Sequence, residues 1–220
     1  MIKDQTEFWS KVAAKYDRVV DLQIGTNTRL LVRERLRKET PLRALAEFGC
    51  GTGYYTQVLA DNADTMIATD LSPGMLEVAR QRVTAANVSF QTEDCRSTSL
   101  PATSFDTAFI SLLLHFTEVE STLAEMHRIL KPGATLIIAN LDFHALRGID
   151  RVRSAIRVLY HGAIGYRLKP PKRFITKMLT EKQLCDLLNR SGFTVISSET
   201  IRDPSCSSNI PIEYIKAVKI

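Results

Sequence analysis

Cysteine is scarce in this chain, and its few copies stand apart. Cys50, Cys95, Cys185 and Cys206 form no CxxC pair, and no histidine lies at zinc-finger spacing from them. A disulfide framework and a structural metal site are therefore both disfavoured, and reduced, mostly buried thiols are expected. Long apolar runs are also missing: none approaches the roughly 18 residues that a membrane-spanning helix needs. The opening stretch "MIKDQTEFWSKVAAKYD" is polar and charged and has no apolar signal core, so a cytoplasmic home is expected. Internal repeats and low-complexity tracts are absent. What remains is ordinary for a soluble globular protein: 45% apolar and 24% charged residues over 220 positions. That length suits one domain across residues 1–220 with a proper core.

Charge is unevenly spread. The net charge is +5, yet residues 143–180 alone hold nine lysines and arginines against Asp150, a local +8, which leaves −3 for the rest. Basicity is thus a property of one segment.

Residues 6–20 place Phe8, Val12, Tyr16 and Val19 on one helical stripe, and a second helix is expected over 27–39, ended by Pro41. Together they form an N-terminal helical cap over residues 1–40. The pattern then changes to short apolar runs alternating with helical stretches about every dozen residues. "RALAEF", "TMIATD", "NVSFQTED", "FDTAFISLLL" and "ATLIIANL" read as strands. "GYYTQVLAD", "SPGMLEVARQRVTAA" and "EVESTLAEMHRIL" read as the helices between them, the second with Ser72 as N-cap and Pro73 at its first position. This alternation predicts a doubly wound α/β sheet. Residues 142–179 interrupt it as a basic insertion. A helix capped by Thr180 and two successive strands follow, suggesting an antiparallel pair at one side of the sheet.

Glycine is sparing too, ten in all, but three of them alternate in "LAEFGCGTG" at Gly49, Gly51 and Gly53. A strand end followed by glycines brings backbone N–H groups and a helix N-terminus to a crevice, without Cβ atoms to hold a ligand off. The spacing is not that of a dinucleotide fingerprint, because Tyr54 stands where the third glycine would be, and no Lys-Ser/Thr pair marks a phosphate loop. The loop therefore favours close backbone approach to a ligand without a pyrophosphate. Asp70 ends the second strand, where a carboxylate can accept both hydroxyl protons of a ribose. Asp94 ends the third, where it can accept from an exocyclic amine. A lone aspartate at a strand end is commonly a helix cap; the three features in this order describe an adenosine site.

On these residues the chain resembles the class I S-adenosylmethionine-dependent methyltransferases, in the small-molecule branch that includes the ubiquinone and menaquinone biosynthesis enzymes. The resemblance is carried by "AEFGCGTGYYT", "ATDLSPGMLEVAR", "TEDC", "FDTAFISLLLHF" and "RILKPGATLII", and spans about residues 43–140. It implies a Rossmann-like, mostly parallel seven-stranded sheet with an antiparallel last strand, and S-adenosylmethionine as cofactor. By resemblance, Glu47, Gly49 and Gly51 line the methionine end, with Gly53 helping the turn. Asp70 holds the ribose, Leu71 and Met75 pack on the adenine, and Asp94 and Cys95 meet its polar edge. Ser111 lies near the reactive end, and Tyr16 closes over the cofactor. "KPGA" departs from the commoner double glycine, a turn detail.

Methyl transfer needs alignment, a dry pocket and, for some acceptors, a base. His115 and Asp142, just past the fourth and fifth strands, are the candidates for that role; the plain alternatives are a backbone-satisfied histidine and a loop cap. His144, Tyr160, His161 and Tyr166 are candidates to line the acceptor pocket. The 142–179 insertion, with Leu146, Ile149, Val152, Ile156 and Leu159 at helical spacing, reads as a lid whose apolar stripe packs on the domain. Its arginine face has three readings: solvated, binding an anionic substrate, or meeting a membrane surface or nucleic acid. The expected partner is thus a small-molecule acceptor, anionic or partly apolar. A nucleic-acid methyltransferase is the alternative, disfavoured because "SLLLHF" has neither the Asn/Asp-Pro-Pro-aromatic stretch nor a Pro-Cys nucleophile, and no aromatic-rich RNA platform is visible. A non-catalytic cofactor-binding partner protein is the third.

Overall fold

The computed structural model describes residues 2–142, 144–146, 148–163, 170–171, 174–176, 178–207 and 209–220, without the side chains of 157, 158 and 161–163. Seven strands form one sheet: β1 (Arg43–Phe48), β2 (Ala63–Asp70), β3 (Val88–Thr92), β4 (Phe105–Ser111), β5 (Leu130–Leu141), β6 (Phe193–Ile201) and β7 (Ile212–Lys219). Their order is β3-β2-β1-β4-β5-β7-β6. The first five run parallel, and β7 runs antiparallel to both its neighbours. The expected doubly wound sheet with an antiparallel last strand is what forms.

Period-two alternation explains why these segments are central strands. In β1, Leu45 joins a core on one face of the sheet while Ala46 and Phe48 join the core on the other. In β5, Ile137, Ala139 and Leu141 face the first core, and Leu136 and Ile138 the second. Among the described residues, seven α-helices surround the sheet: α1 (Ile2–Ile24), α2 (Thr26–Arg37), α3 (Thr56–Ala60), α4 (Pro73–Arg82), α5 (Val119–Ile129), α6 (Gly148–Ala163) and α7 (Glu181–Arg190). Val119, Leu123, Met126 and Ile129 of α5 are buried in the second core; Val32 and Leu36 of α2 in the first. A fully buried leucine of this kind stabilises the fold by roughly 1.5–3 kcal/mol.

Local signals set the helix starts. Ser72 Oγ accepts from Met75 N at 3.2 Å, with Pro73 in the first turn of α4. Thr180 and Gln183 form a reciprocal capping box on α7.

Three local expectations change. The helix expected to grow out of the glycine loop is only Thr56–Ala60, because residues 51–55 are spent on turns. Lys131-Pro132-Gly133 does not stand outside the fifth strand; it lies within β5, whose pairing with β4 shifts register between Phe105 and Thr107. And of the apolar stripe expected to pack on the domain, Leu146, just before α6, is buried in the first core, whereas the stripe on α6 itself does not pack there. Ile149, Val152, Ile156 and Leu159 are 61%, 51%, 60% and 64% exposed. Among the described residues, no helix is long and apolar enough to cross a membrane.

Candidate functional site

The strand order reverses between β1 and β4, and a cleft opens at the carboxyl ends of the strands there, as expected at a topological switch point. It encloses about 740 Å³, part of it open to solvent. Its walls come from the ends of β1 (Gly49, Gly51), β2 (Asp70, Leu71), β3 (Glu93 to Arg96) and β4 (Ser111 to Leu113), from Met75 of α4, and from Gln5, Trp9 and Tyr16 of α1. Of the residues expected to hold the cofactor, Tyr16, Gly49, Gly51, Asp70, Leu71, Met75, Asp94, Cys95 and Ser111 meet here.

The three glycines serve three different ends, although φ is +64°, +54° and +76° in turn. A Cβ on Gly49 would stand 2.6 Å from Leu113 Cδ2, and one on Gly53 would stand 3.1 Å from Ala79 Cβ. Both positions clear protein atoms. A Cβ on Gly51 would meet only Tyr16 Cε1, at 3.7 Å, across the cleft. Gly51 is therefore the glycine that keeps the cleft itself clear.

Asp70 Oδ2 accepts from Gly51 N at 2.9 Å and Oδ1 from Ser72 N at 2.8 Å, so one carboxylate fixes both loops. Burial pushes its pKa up to about 6, against the pull of those N–H donors. Asp94 is held the other way: a two-pronged contact from Arg96, 2.9 Å at Nε and 2.6 Å at Nη2, lowers its pKa. Glu47 does not line the cleft. It continues the Leu45 face of β1, lies 1% exposed beneath the loop, and accepts from Thr56 Oγ1 at 2.7 Å. Burial pushes its pKa up to about 8. The β4 end adds a strained residue, Leu112, whose φ is +52° while its N–H bonds Ala139 O at 2.9 Å.

One carboxylate of helix α1 ties it to several parts of this frame. Asp17 accepts from Thr52 Oγ1 at 3.0 Å, from Arg29 Nη2 at 2.8 Å and from Arg82 Nη2 at 2.5 Å, which joins α1, the glycine loop, α2 and α4. Burial raises the pKa of Asp17, but the two arginines outweigh it and hold the carboxyl below its ordinary range. Arg29 is 2% exposed, also pairs with Asp21 at 2.8 Å, and stacks 3.4 Å over the Tyr54 ring. Next to the clamp, Tyr16 is partly buried, and desolvation pushes its pKa up to about 12.

The catalytic candidates are placed elsewhere. His115 lies on the 3-10 turn after β4, 7% exposed, and does not line the cleft. Its ring is 4.0 Å from that of Phe116, and burial lowers its pKa to about 4, so the imidazole is neutral. Phe116, the next residue, takes the wall position instead. Asp142 is a turn cap: Oδ1 accepts from His144 N and Ala145 N at 3.0 Å each. His144 is exposed and Tyr160 is 62% exposed, on the outward stripe of α6; neither lines the cleft. The side chain of His161 and the whole of Tyr166 lie outside the described residues.

Trp9 and Phe116 were not singled out in the sequence. Their rings meet at 4.9 Å, and Trp9 meets Tyr16 at 6.1 Å. The signal was there for Trp9, which stands seven residues before Tyr16 and so on its face of the helix. Phe116 carried none, because the 3-10 turn decides which of two adjacent rings faces inward.

The residues fit an adenosine-bearing ligand: two carboxylates at neighbouring strand ends, apolar Leu71 and Met75 beside them, and a clear backbone at Gly51. The comparisons agree. Residues 46–138 match the methyltransferase domain family. A malonyl-[acyl-carrier protein] O-methyltransferase of Serratia marcescens is 33% identical over 140 residues, 63% of this chain and 53% of that protein. A demethylmenaquinone methyltransferase of Clavibacter sepedonicus is 33% identical over 161 residues, 66% of each chain. The chain spans about half the length of the first of these. Among solved structures, the DhpI-SAH complex superposes with a TM-score of 0.72 at 18% identity, over 100% of this chain and 97% of that one. A SAM-dependent methyltransferase from Aquifex aeolicus gives 0.66 at 19%, over 93% and 98%. Residues 46–138 thus match a methyltransferase domain, and the chain resembles the class I S-adenosylmethionine-dependent methyltransferases, the demethylmenaquinone methyltransferases among them.

Proposed function

We propose that the chain transfers a methyl group from S-adenosylmethionine to a small-molecule acceptor. The observation that carries this reading is the cleft at the switch point, where Gly51, Asp70 and Asp94 line one wall and an apolar wall of Trp9, Leu113 and Phe116 completes it. The cofactor supplies a methyl group already activated on a sulfonium. The chain's own task is to bind, align and keep dry. Asp70 is assigned to the ribose hydroxyls, Asp94 with the backbone of Cys95 to the adenine edge, and Leu71 and Met75 to its faces. Gly51 leaves room for the methionine end, Gly49 lets Leu113 pack beside it, and Glu47 supports the loop from below through Thr56. Tyr16 and Trp9 roof the cleft from α1, and Ser111 stands at the end of β4 beside the acceptor space.

Neither His115 nor Asp142 is kept as a general base, since neither lines the cleft. The acceptor is then one that needs no base from them, and the apolar wall suits a partly apolar molecule. Among the described residues none of the basic 143–180 segment lines the cleft, and α1 supplies its cover through Gln5, Trp9 and Tyr16. Among the described residues the cysteines form no disulfide, in keeping with a reducing, cytoplasmic setting.

Gly51→Val tests the site. A branched side chain at φ +54° points at Tyr16 across the cleft, so S-adenosylmethionine affinity measured by calorimetry should fall at least about 100-fold while the fold survives. Unchanged affinity removes the assignment. Radiolabelled methyl transfer into cell extract then identifies the acceptor, and label in RNA instead of small molecules would reverse the choice of substrate class.

A further inference from the structure

Helix α6 is built inside out. On a helical projection Ile149, Val152, Ile156, Leu159 and Tyr160 fall within an arc of about 100°. All five are more than half exposed, from 51% for Val152 to 64% for Leu159. Ser154 lies on the opposite side, about 170° from the middle of that arc, and it is the buried residue, at 6% exposure. Asp150, on the same inner side, holds the helix to the body by accepting from Ser207 Oγ at 2.6 Å. A surface helix of a globular protein normally does the reverse and turns polar side chains to solvent.

Cations flank this stripe. Arg151 lies beyond one edge and Arg153 at the other; both are exposed, and Arg153 is 3.8 Å from Asp150. They belong to the 143–180 segment, which carries a net +8 in a chain otherwise negative.

We propose that α6 docks the protein on an anionic lipid surface, its apolar stripe sunk among the acyl chains and its arginines at the level of the headgroup phosphates. The charge pattern chooses this occupant. An apolar centre with cationic margins matches the depth profile of such a surface. An acidic protein would call for cations at the centre of the patch. A second copy of this helix would bring arginine margins together, like charge on like. At 16 residues α6 is about 24 Å long, short of the roughly 30 Å apolar thickness of a bilayer, so it lies in the surface plane and does not span it. Because α6 packs beside α1, docking would bring the α1 edge of the cleft, with Trp9 and Tyr16, close to the lipid. A partly apolar acceptor would then enter from the membrane.

The test is flotation of the full chain with vesicles of phosphatidylcholine alone and of equal parts phosphatidylcholine and phosphatidylglycerol. Recovery with the anionic vesicles should be at least about tenfold higher and should drop in high salt. Ile156→Glu with Leu159→Glu should abolish it, with melting temperature and S-adenosylmethionine affinity unchanged. Arg151→Gln with Arg153→Gln should lower binding roughly fivefold per charge and leave weak, salt-independent adhesion. The idea is overturned if the wild type stays with the unbound fraction, or if the apolar double variant floats equally well. A concentration-dependent dimer in sedimentation that the double variant dissolves, without vesicle binding, would overturn it in favour of a second copy. Cofactor affinity is read separately, so failure here leaves the proposed methyl transfer standing.

Discussion

The stretch matched by the methyltransferase family and the helix that follows it treat burial in opposite ways. Within residues 46–138, α5 turns Leu123, Met126 and Ile129 to the core at 0% exposure, and the sheet encloses even the carboxyl of Glu47. Past β5, α6 has an equally regular apolar face and shows it to the outside. Periodicity establishes that a helix has two faces. Which face the protein covers depends on what else is present to cover it, and in the first region that is the sheet. In the second, no described element covers the stripe.

The sharpest way to break this contrast is to place a charge on each helix. Leu123→Asp puts an unpaired carboxylate where nothing can bond it, at a cost of more than about 4 kcal/mol. Loss of the cooperative thermal transition is the expected result, and a folded variant would mean that α5 is not held as described.

Asp70→Asn asks whether the enclosed acids of the first region work for a ligand. Losing a charged acceptor should weaken S-adenosylmethionine binding by about 10- to 100-fold. In the wild type, Asp70 is a carboxylate above its pKa of about 6. Affinity should therefore fall as pH drops through 6, and the asparagine variant should show a flat profile by calorimetry.

Glu47→Gln probes burial without the cleft. The folded chain keeps the Glu47 proton up to about pH 8, whereas the unfolded chain releases it near the ordinary value of 4.5. Wild-type stability from this group is therefore full below 4.5 and is lost as pH rises through 8. Glutamine does not titrate. Its melting temperature should match the wild type in acid and exceed it by on the order of 10 °C at pH 8. A constant offset across that range would show that Glu47 ionises in the fold.

The smallest effect belongs to α6. Ile156→Asp, at a position 60% exposed, should leave stability within about 0.5 kcal/mol of wild type by denaturant titration. A large loss would mean that the stripe is covered in the free protein, and the contrast with α5 would disappear.

Much of the first region was legible because its signals are local. Ser72 and Pro73 start α4, Thr180 starts α7, and alternating β1 and β5 residues face two cores, all from near neighbours in sequence. Asp70 and Asp94 were placed at strand ends by the same means. The rest depends on partners far along the chain. Gly49 is required by Leu113 and Gly53 by Ala79, which no spacing rule within the loop reveals. Glu47 was expected at the methionine end, but strand alternation points it to Thr56. His115 and Phe116 are adjacent, and one 3-10 turn decides that the phenylalanine takes the wall. For α6 the stripe was visible and its direction was not.

The Asp17 clamp bears on where this protein can be cut. The recognisable pattern begins at residue 46, but the carboxylate that gathers Thr52, Arg29 and Arg82 lies 29 positions earlier in the numbering. A fragment trimmed to the pattern would keep every glycine of the loop and both cleft acids. It would also forfeit the Tyr16 wall and leave Arg82 without the carboxylate that holds it. The N-terminal helices are thus not an accessory that evolution or an engineer can exchange freely. Any graft that replaces them must bring its own acid to the underside of Thr52.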